Sequence, residues 1–176
     1  YNGAKICVIS PDFNSSCVHA DHYLQIQPGT DAMLAMGIAR LLVENNWINR
    51  SYVTEQTDMP VLVRVDNGKF LRETDFVEKG DDEIFYLWDK NTGSAVKAPG
   101  CAGLKNKDKE HASISLEGLD VALEGKFSVK LLDGKTVEVT TVFEKLKEDL
   151  KQYPLAEVAK ITGLLQEFLA LEDLAL

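Results

Sequence analysis

The chain has 176 residues, 45% of them hydrophobic and 27% charged, and its formal net charge is -9. That length suits one ordinary domain with its own core, and the balance excludes wholesale disorder. The acidity disfavours nucleic acid or an anionic membrane as a partner, because phosphate binding needs a basic face, and no apolar run approaches the roughly 18 residues of a membrane helix.

The chain opens Tyr1-Asn2-Gly3-Ala4, with neither an initiator Met nor a signal peptide. An internal segment of a longer chain is therefore the expectation, and a missing leader then carries no information about location. Residues 5–10 (KICVIS) are short, β-branched and apolar, and are expected to form a buried strand that Pro11 stops. Cys7 lies inside that pattern, where a small buried hydrophobe is its expected role. Cys7, Cys17 and Cys101 are scattered and form no CxxC pair, so neither zinc nor an iron–sulfur cluster has its usual close ligands. A polar loop follows over 12–17, then a short strand over 23–26 and a turn at Pro28-Gly29. Thr30 stands at a helix N-cap position and Asp31 in the first turn, where a carboxylate suits the helix dipole. Leu34, Ile38, Leu41 and Leu42 carry the helical spacing to about Asn45. The small residues Ala32, Ala35, Gly37 and Ala39 permit close packing on a sheet. A short helix is expected over 51–57 and a strand over 61–65.

From Asp66 to about His111 turn residues and charges dominate, with a strand candidate at 83–88. This stretch reads as an insertion of short strands and loops that opens more easily than the core, and the run 105–110 reads as a solvated loop. Residues 127–131 and 136–139 flank Asp133-Gly134, a strong hairpin signal. Phe143, Leu146 and Leu150 form a helical stripe. Pro154 opens a further helix carrying Val158 and Ile161, and Gly163 suits its end. The tail 164–176 permits helix without a clean apolar face. The expected fold is α/β: a Rossmann-like parallel-sheet core with an inserted β-rich, loop-rich segment and C-terminal helices. Its segments are 1–65, 66–125 and 126–176, all parts of one domain of a larger chain.

The stretch 10–31 carries most of the functional information. A parallel strand ending at Ser10 puts its loop at the carboxyl edge of the sheet, where open α/β sheets bind ligands. Gly29, Thr30 and Asp31 open a helix whose first amides favour an anion or a polar ligand. The plainer reading is that Thr30 and Asp31 only cap the helix, and the two roles are compatible. Neither GxGxxG nor a Walker sequence occurs. His19, Asp21 and His22 imitate a metal cluster, but no second ligand group is evident. Cys17 lacks the surroundings of a catalytic thiol. Neither a metal site nor a catalytic residue is expected in this chain.

Three stretches taken together carry a resemblance: residues 3–12 (GAKICVISPD), His19-Ala20-Asp21, and residues 28–37 (PGTDAMLAMG). In this order and spacing they resemble the molybdopterin oxidoreductases of the dimethyl sulfoxide reductase superfamily. Residues 57–64 (TDMPVLVR), 68–73 (GKFLRE), 142–146 (VFEKL) and 158–163 (VAKITG) look like its branch with ethylbenzene dehydrogenase, dimethyl sulfide dehydrogenase and the respiratory reductases. The resemblance covers most of residues 1–163. It implies a catalytic subunit holding a bis-molybdopterin guanine dinucleotide, gripped by several domains. Ser10, Pro11, Asp12, Phe13 and Asn14, with Gly29, Thr30 and Asp31, would contact one guanosine portion, Asp31 on the guanine. Residues 1–65 then form the cofactor-binding unit.

The family's cysteine cluster and the segment that ligates its metal are not in this sequence, so the chain is expected to be inactive alone and to lack the cofactor when isolated. The implied partners are the remainder of the parent subunit and an iron–sulfur electron-transfer subunit, and the implied location is the periplasm or cell envelope. Two other readings compete: a module docking the electron-transfer subunit through the middle insertion, and an independent small α/β nucleotide-binding protein.

Overall fold

A computed structural model describes residues 3–99, 116 and 118–164. Its contacts divide the chain into two compact units, one made of Tyr1–Trp47 with Asp149–Leu176, the other of Ile48–Glu148. These boundaries differ from the segments drawn from the sequence. The expectations for Cys101, for the run 105–110 and for 165–176 lie outside the described residues.

In the first unit β1 (Cys7–Ser10) and β2 (His22–Gln25) form a parallel pair, joined through a 3-10 turn at Ser15–His19. Helix α1 (Asp31–Glu44) follows, and α4 (Leu155–Thr162) returns to the unit from the far end of the chain. The core lies between them: Leu24, Ile26, Leu34, Val158, Ala159 and Leu164 are buried together. Gly37 is the point of closest approach. A Cβ there would stand 2.9 Å from Cγ1 of Val158, so the small residue on α1 meets a helix, where a sheet was expected. Gly163 ends α4 in the left-handed region at φ 78.

Strand β1 departs from its reading as a buried strand. Cys7 is exposed, and Ile6 and Ile9 are 52% and 43% exposed. The apolar run does form a strand, but parallel strands become buried only when layers cover both faces. The core of this unit gathers where β2 runs into α1 and α4, and β1 lies away from it.

The second unit begins with α2 (Arg50–Gln56) and β3 (Leu62–Arg64). β4 (Tyr86–Asp89) and β5 (Ser94–Lys97) form an antiparallel pair. β6 (Lys126–Lys130) and β7 (Thr136–Thr141) form the hairpin, and β7 also pairs with β3, giving the antiparallel order β3-β7-β6. The turn is closed by Gly134 N donating to the Leu131 carbonyl at 3.0 Å. α3 (Val142–Leu150) starts directly after β7. Thr141 makes that junction: its buried hydroxyl donates to the Leu123 carbonyl at 2.7 Å and accepts from Glu144 N at 3.1 Å.

The middle of the chain is rich in short strands and loops, as expected, yet it has a core. Leu62, Leu71, Tyr86, Val129, Leu131 and Val139 are buried together, with Trp88 stacked on Phe127 at 4.2 Å. Val61, Leu87 and Val121 form a second cluster. The chain as a whole is of mixed α/β class, with its parallel pairing, among the described residues, confined to β1 and β2. No helix among the described residues is long and apolar enough to cross a membrane.

Candidate functional site

The parallel pairing of β1 with β2 sets where the two candidate segments lie. Ser10 pairs with Gln25, so both strands end together. The loop 10–14 and the turn 28–31 therefore leave the same carboxyl edge of the pair.

The loop is held by its own polar groups. The Ser10 hydroxyl donates to the Asp12 carbonyl at 2.9 Å and accepts from Asn14 Nδ2 at 3.2 Å. Asn14 Oδ1 accepts from Ser16 N at 2.9 Å and so caps the 3-10 turn. Gln25 Nε2 donates to the Pro11 carbonyl at 2.9 Å, and Tyr23 Oη to the Ser10 carbonyl at 3.2 Å. Phe13 stands edge-on to Tyr23 at 5.4 Å yet remains 64% exposed. Burial raises the Tyr23 phenol above its ordinary range, helped by Cys17 and Asp12.

The turn is equally defined. Gly29 takes φ 81, which a side chain would resist. Thr30 is the N-cap residue, but its hydroxyl donates to the Gln27 carbonyl at 2.7 Å and caps nothing. The first helical bond is Leu34 N to the Thr30 carbonyl at 3.1 Å, so the amides of the first turn keep their donors. Asp31 is exposed, and among the described residues no hydrogen bond or ion pair engages its carboxylate. The end of α4 fixes the turn from behind. Gln27 N donates to the Thr162 carbonyl at 2.8 Å, and a Cβ on Gly163 would meet Gln27 Cγ at 3.4 Å.

Asp21, of the Ala-Asp pair, has a local duty. Its Oδ2 accepts from Ile6 N at 2.8 Å and its Oδ1 pairs with Lys5 at 3.6 Å. The Ile6 amide, more than Lys5, holds this carboxyl below the usual range. Among the described residues no group of three His, Cys, Asp or Glu side chains is placed to hold a metal ion.

Sequence reasoning missed Tyr23, Gln25 and Gln27, which position the two segments. It read the first two as strand residues only. Their alternation puts both on one face of β2, and that signal could have pointed them at the loop after β1.

No protein-family model matches the chain. It is 42% identical over 164 residues to the dimethylsulfide dehydrogenase subunit alpha of Rhodovulum sulfidophilum, covering 93% of this chain and 17% of that protein. It is 42% identical over 163 residues to the chlorate reductase subunit alpha of Ideonella dechloratans, with the same coverage of 93% and 17%. To the respiratory nitrate reductase subunit alpha of Haloferax mediterranei it is 35% identical over 158 residues, covering 87% of this chain and 16% of that protein. The chain thus spans about a sixth of the length of these relatives.

Proposed function

The chain belongs to the dimethyl sulfoxide reductase family of molybdenum oxidoreductases, as a segment corresponding to 17% of a catalytic alpha subunit, and on that premise we propose that it holds the guanosine end of the parent's molybdopterin guanine dinucleotide. In this reading Ser10, Pro11, Asp12, Phe13 and Asn14 line one side of the nucleotide and Gly29, Thr30 and Asp31 the other. The observation that carries it is the shared edge: two segments leave the same end of a parallel strand pair, one with an exposed aromatic ring, the other with a helix end that lacks a side-chain cap and a carboxylate that no described residue engages. These residues fit the group. A guanine Watson–Crick edge offers two adjacent N–H donors to the Asp31 carboxylate, the first amides of α1 suit a polar or anionic ligand, and the ring of Phe13 offers a face for a base.

When bound, the cofactor supplies two-electron redox chemistry at its metal. The residues of this chain bind and orient it and take no covalent part. The parent's activity as an oxidoreductase, its iron–sulfur electron-transfer partner and its place in the periplasm or cell envelope belong to the same proposal.

The test is nucleotide discrimination. Adenine turns a lone pair toward the carboxylate where guanine offers a donor. GDP should therefore shift the amides of 10–14 and 29–31 in NMR spectra, and ADP should shift them less. Affinity should be weak, about millimolar, because the rest of the grip lies elsewhere and binding must offset lost freedom. Asp31→Asn should erase the preference. Retention of the same preference for GDP in that variant would reduce Asp31 to a helix-end residue and sink the assignment.

A further inference from the structure

The second unit contains a cleft of about 590 Å³, lined by residues of the β3 turn and the segment that follows it. That volume is in the range of small-molecule sites. Three cations line it, Arg64, Lys69 and Arg72, and they are not equally engaged. Arg64 is spent: its guanidinium forks onto Asp66 at 3.0 and 2.6 Å and reaches Asp75 at 2.6 Å. Arg72 gives one hydrogen bond, from Nη1 to the Asp82 carbonyl at 2.8 Å, and lies over the Phe85 ring at 5.3 Å. A guanidinium has five N–H donors, so most of its fork remains to be used. Lys69 is exposed, and its ammonium makes no ion pair among the described residues. Asn67 spends its Oδ1 on Lys69 N at 2.9 Å, which leaves its two amide N–H donors.

The cleft is therefore rich in donors and holds two cations beyond the neutralised Arg64. Asp66 and Asp75 on Arg64 and the Asp82 carboxylate that also lines the cleft balance its three cations, so the donors of Arg72 and Lys69 suit a monoanion over a dianion. One wall is apolar. Phe70 lines the cleft and packs edge-on against Phe85 at 5.3 Å. A planar fork, a point charge and an aromatic wall together describe a ligand with a carboxylate head and an apolar body.

We propose that this cleft binds a small monocarboxylate, its head on Arg72 and Lys69 and its apolar body against Phe70. The assignment does not rest on the guanosine reading, because it concerns other residues in the other unit, and the two fail separately.

Benzoate is the probe. Added to the 176-residue chain at fixed ionic strength, it should shift the amides of Lys69, Phe70, Arg72 and Thr74 and leave those of 10–14 and 29–31 unmoved, with a Kd in the millimolar range. Benzamide keeps the ring and loses the charge, and it should bind about tenfold more weakly. Arg72→Gln should weaken benzoate by about tenfold as well, as expected for a lost charge-assisted fork. Lys90→Gln, on a residue paired with Asp120, should change nothing. Equal binding of benzamide, identical shifts with chloride, or an unchanged Kd in the Arg72→Gln protein would each overturn the proposal. Should Arg72→Gln lose its dispersed spectrum, Lys69→Gln decides: about threefold weaker benzoate binding supports the site, and an unchanged Kd rejects it.

Discussion

Asp89 is an acid placed where acids are rarely found. It is 2% exposed, and its carboxylate accepts from Asn91 N at 3.1 Å, Thr92 N at 3.2 Å and Asp120 N at 3.1 Å. Burial alone would raise its pKa, but the hydrogen bonds from Thr92, Asn91 and Asp120 outweigh it and hold the carboxyl below its usual range. A carboxyl depressed in the folded state stabilises the fold above its unfolded pKa of about 3.9, and that contribution is lost as pH falls through the folded value. Asp89→Asn keeps one acceptor and loses the other. It should lower the melting temperature at neutral pH and flatten the fall of that temperature between about pH 4 and pH 2. Parallel acid limbs in the two proteins would show that Asp89 does not contribute. Part of this was legible: Asn91-Thr92-Gly93 announces a turn. The burial of the acid that organises it was not, because three backbone amides satisfy it, one of them from Asp120 far along the chain. Cys7 fails in the opposite sense, since its apolar neighbours imply burial without naming what would cover them.

At the level of elements, the packing of α1 on α4 depends on a missing side chain. A methyl on Gly37 would stand 2.9 and 3.0 Å from the two γ-carbons of Val158, and Val158 is fully buried. Gly37→Ala gains helix propensity but overpacks the contact, at a cost of about 1–3 kcal/mol. The double variant Gly37→Ala, Val158→Ala should recover part of that loss in a denaturant melt. Strict additivity of the two changes would mean that the residues do not share the contact. The existence of these helices could be read from sequence: Pro154 and Gly163 bracket α4, and apolar spacing marks α1. Their pairing could not, since nothing local to Gly37 names Val158. The same divide runs through the sheets. Asp133-Gly134 announces the β6–β7 hairpin, whereas the pairing of β7 with β3 joins Leu62 to Thr141 across the whole middle of the chain. In the candidate site, Pro11 and Pro28-Gly29-Thr30-Asp31 stood out as sequence; their meeting at one edge follows from the strand register.

On the scale of the molecule, burial is uneven along the chain. Leu62, Leu71 and Val139 of the second unit and Val158 of the first are fully buried, whereas Ile6, just before β1, and Ile9, within it, are about half open to solvent. Local opening follows such differences in burial. Hydrogen exchange should therefore be slower at the amides of Leu71 and Val139 than at those of Val8 and Ile9. The opposite order would mean that β1 is protected by something other than its own burial.

The first unit is assembled from the two ends of the chain. On a ribosome, β1, β2 and α1 emerge early, but Val158 and the Thr162 carbonyl that complete their packing are made after the whole of Ile48–Glu148. Until then the early segment waits with its apolar face uncovered, which is when nascent chains are most prone to stick. The second unit is continuous and can close meanwhile. In closing it brings Met59 and Val61 to Phe143 and Val142, through Phe143 N to the Met59 carbonyl at 2.9 Å and Val142 N to the Val61 carbonyl at 3.0 Å. That clasp shortens the effective loop the first unit must close and lowers its entropic cost. The order of synthesis thus leaves the carboxyl edge of β1 and β2 to be finished after the second unit, by α4.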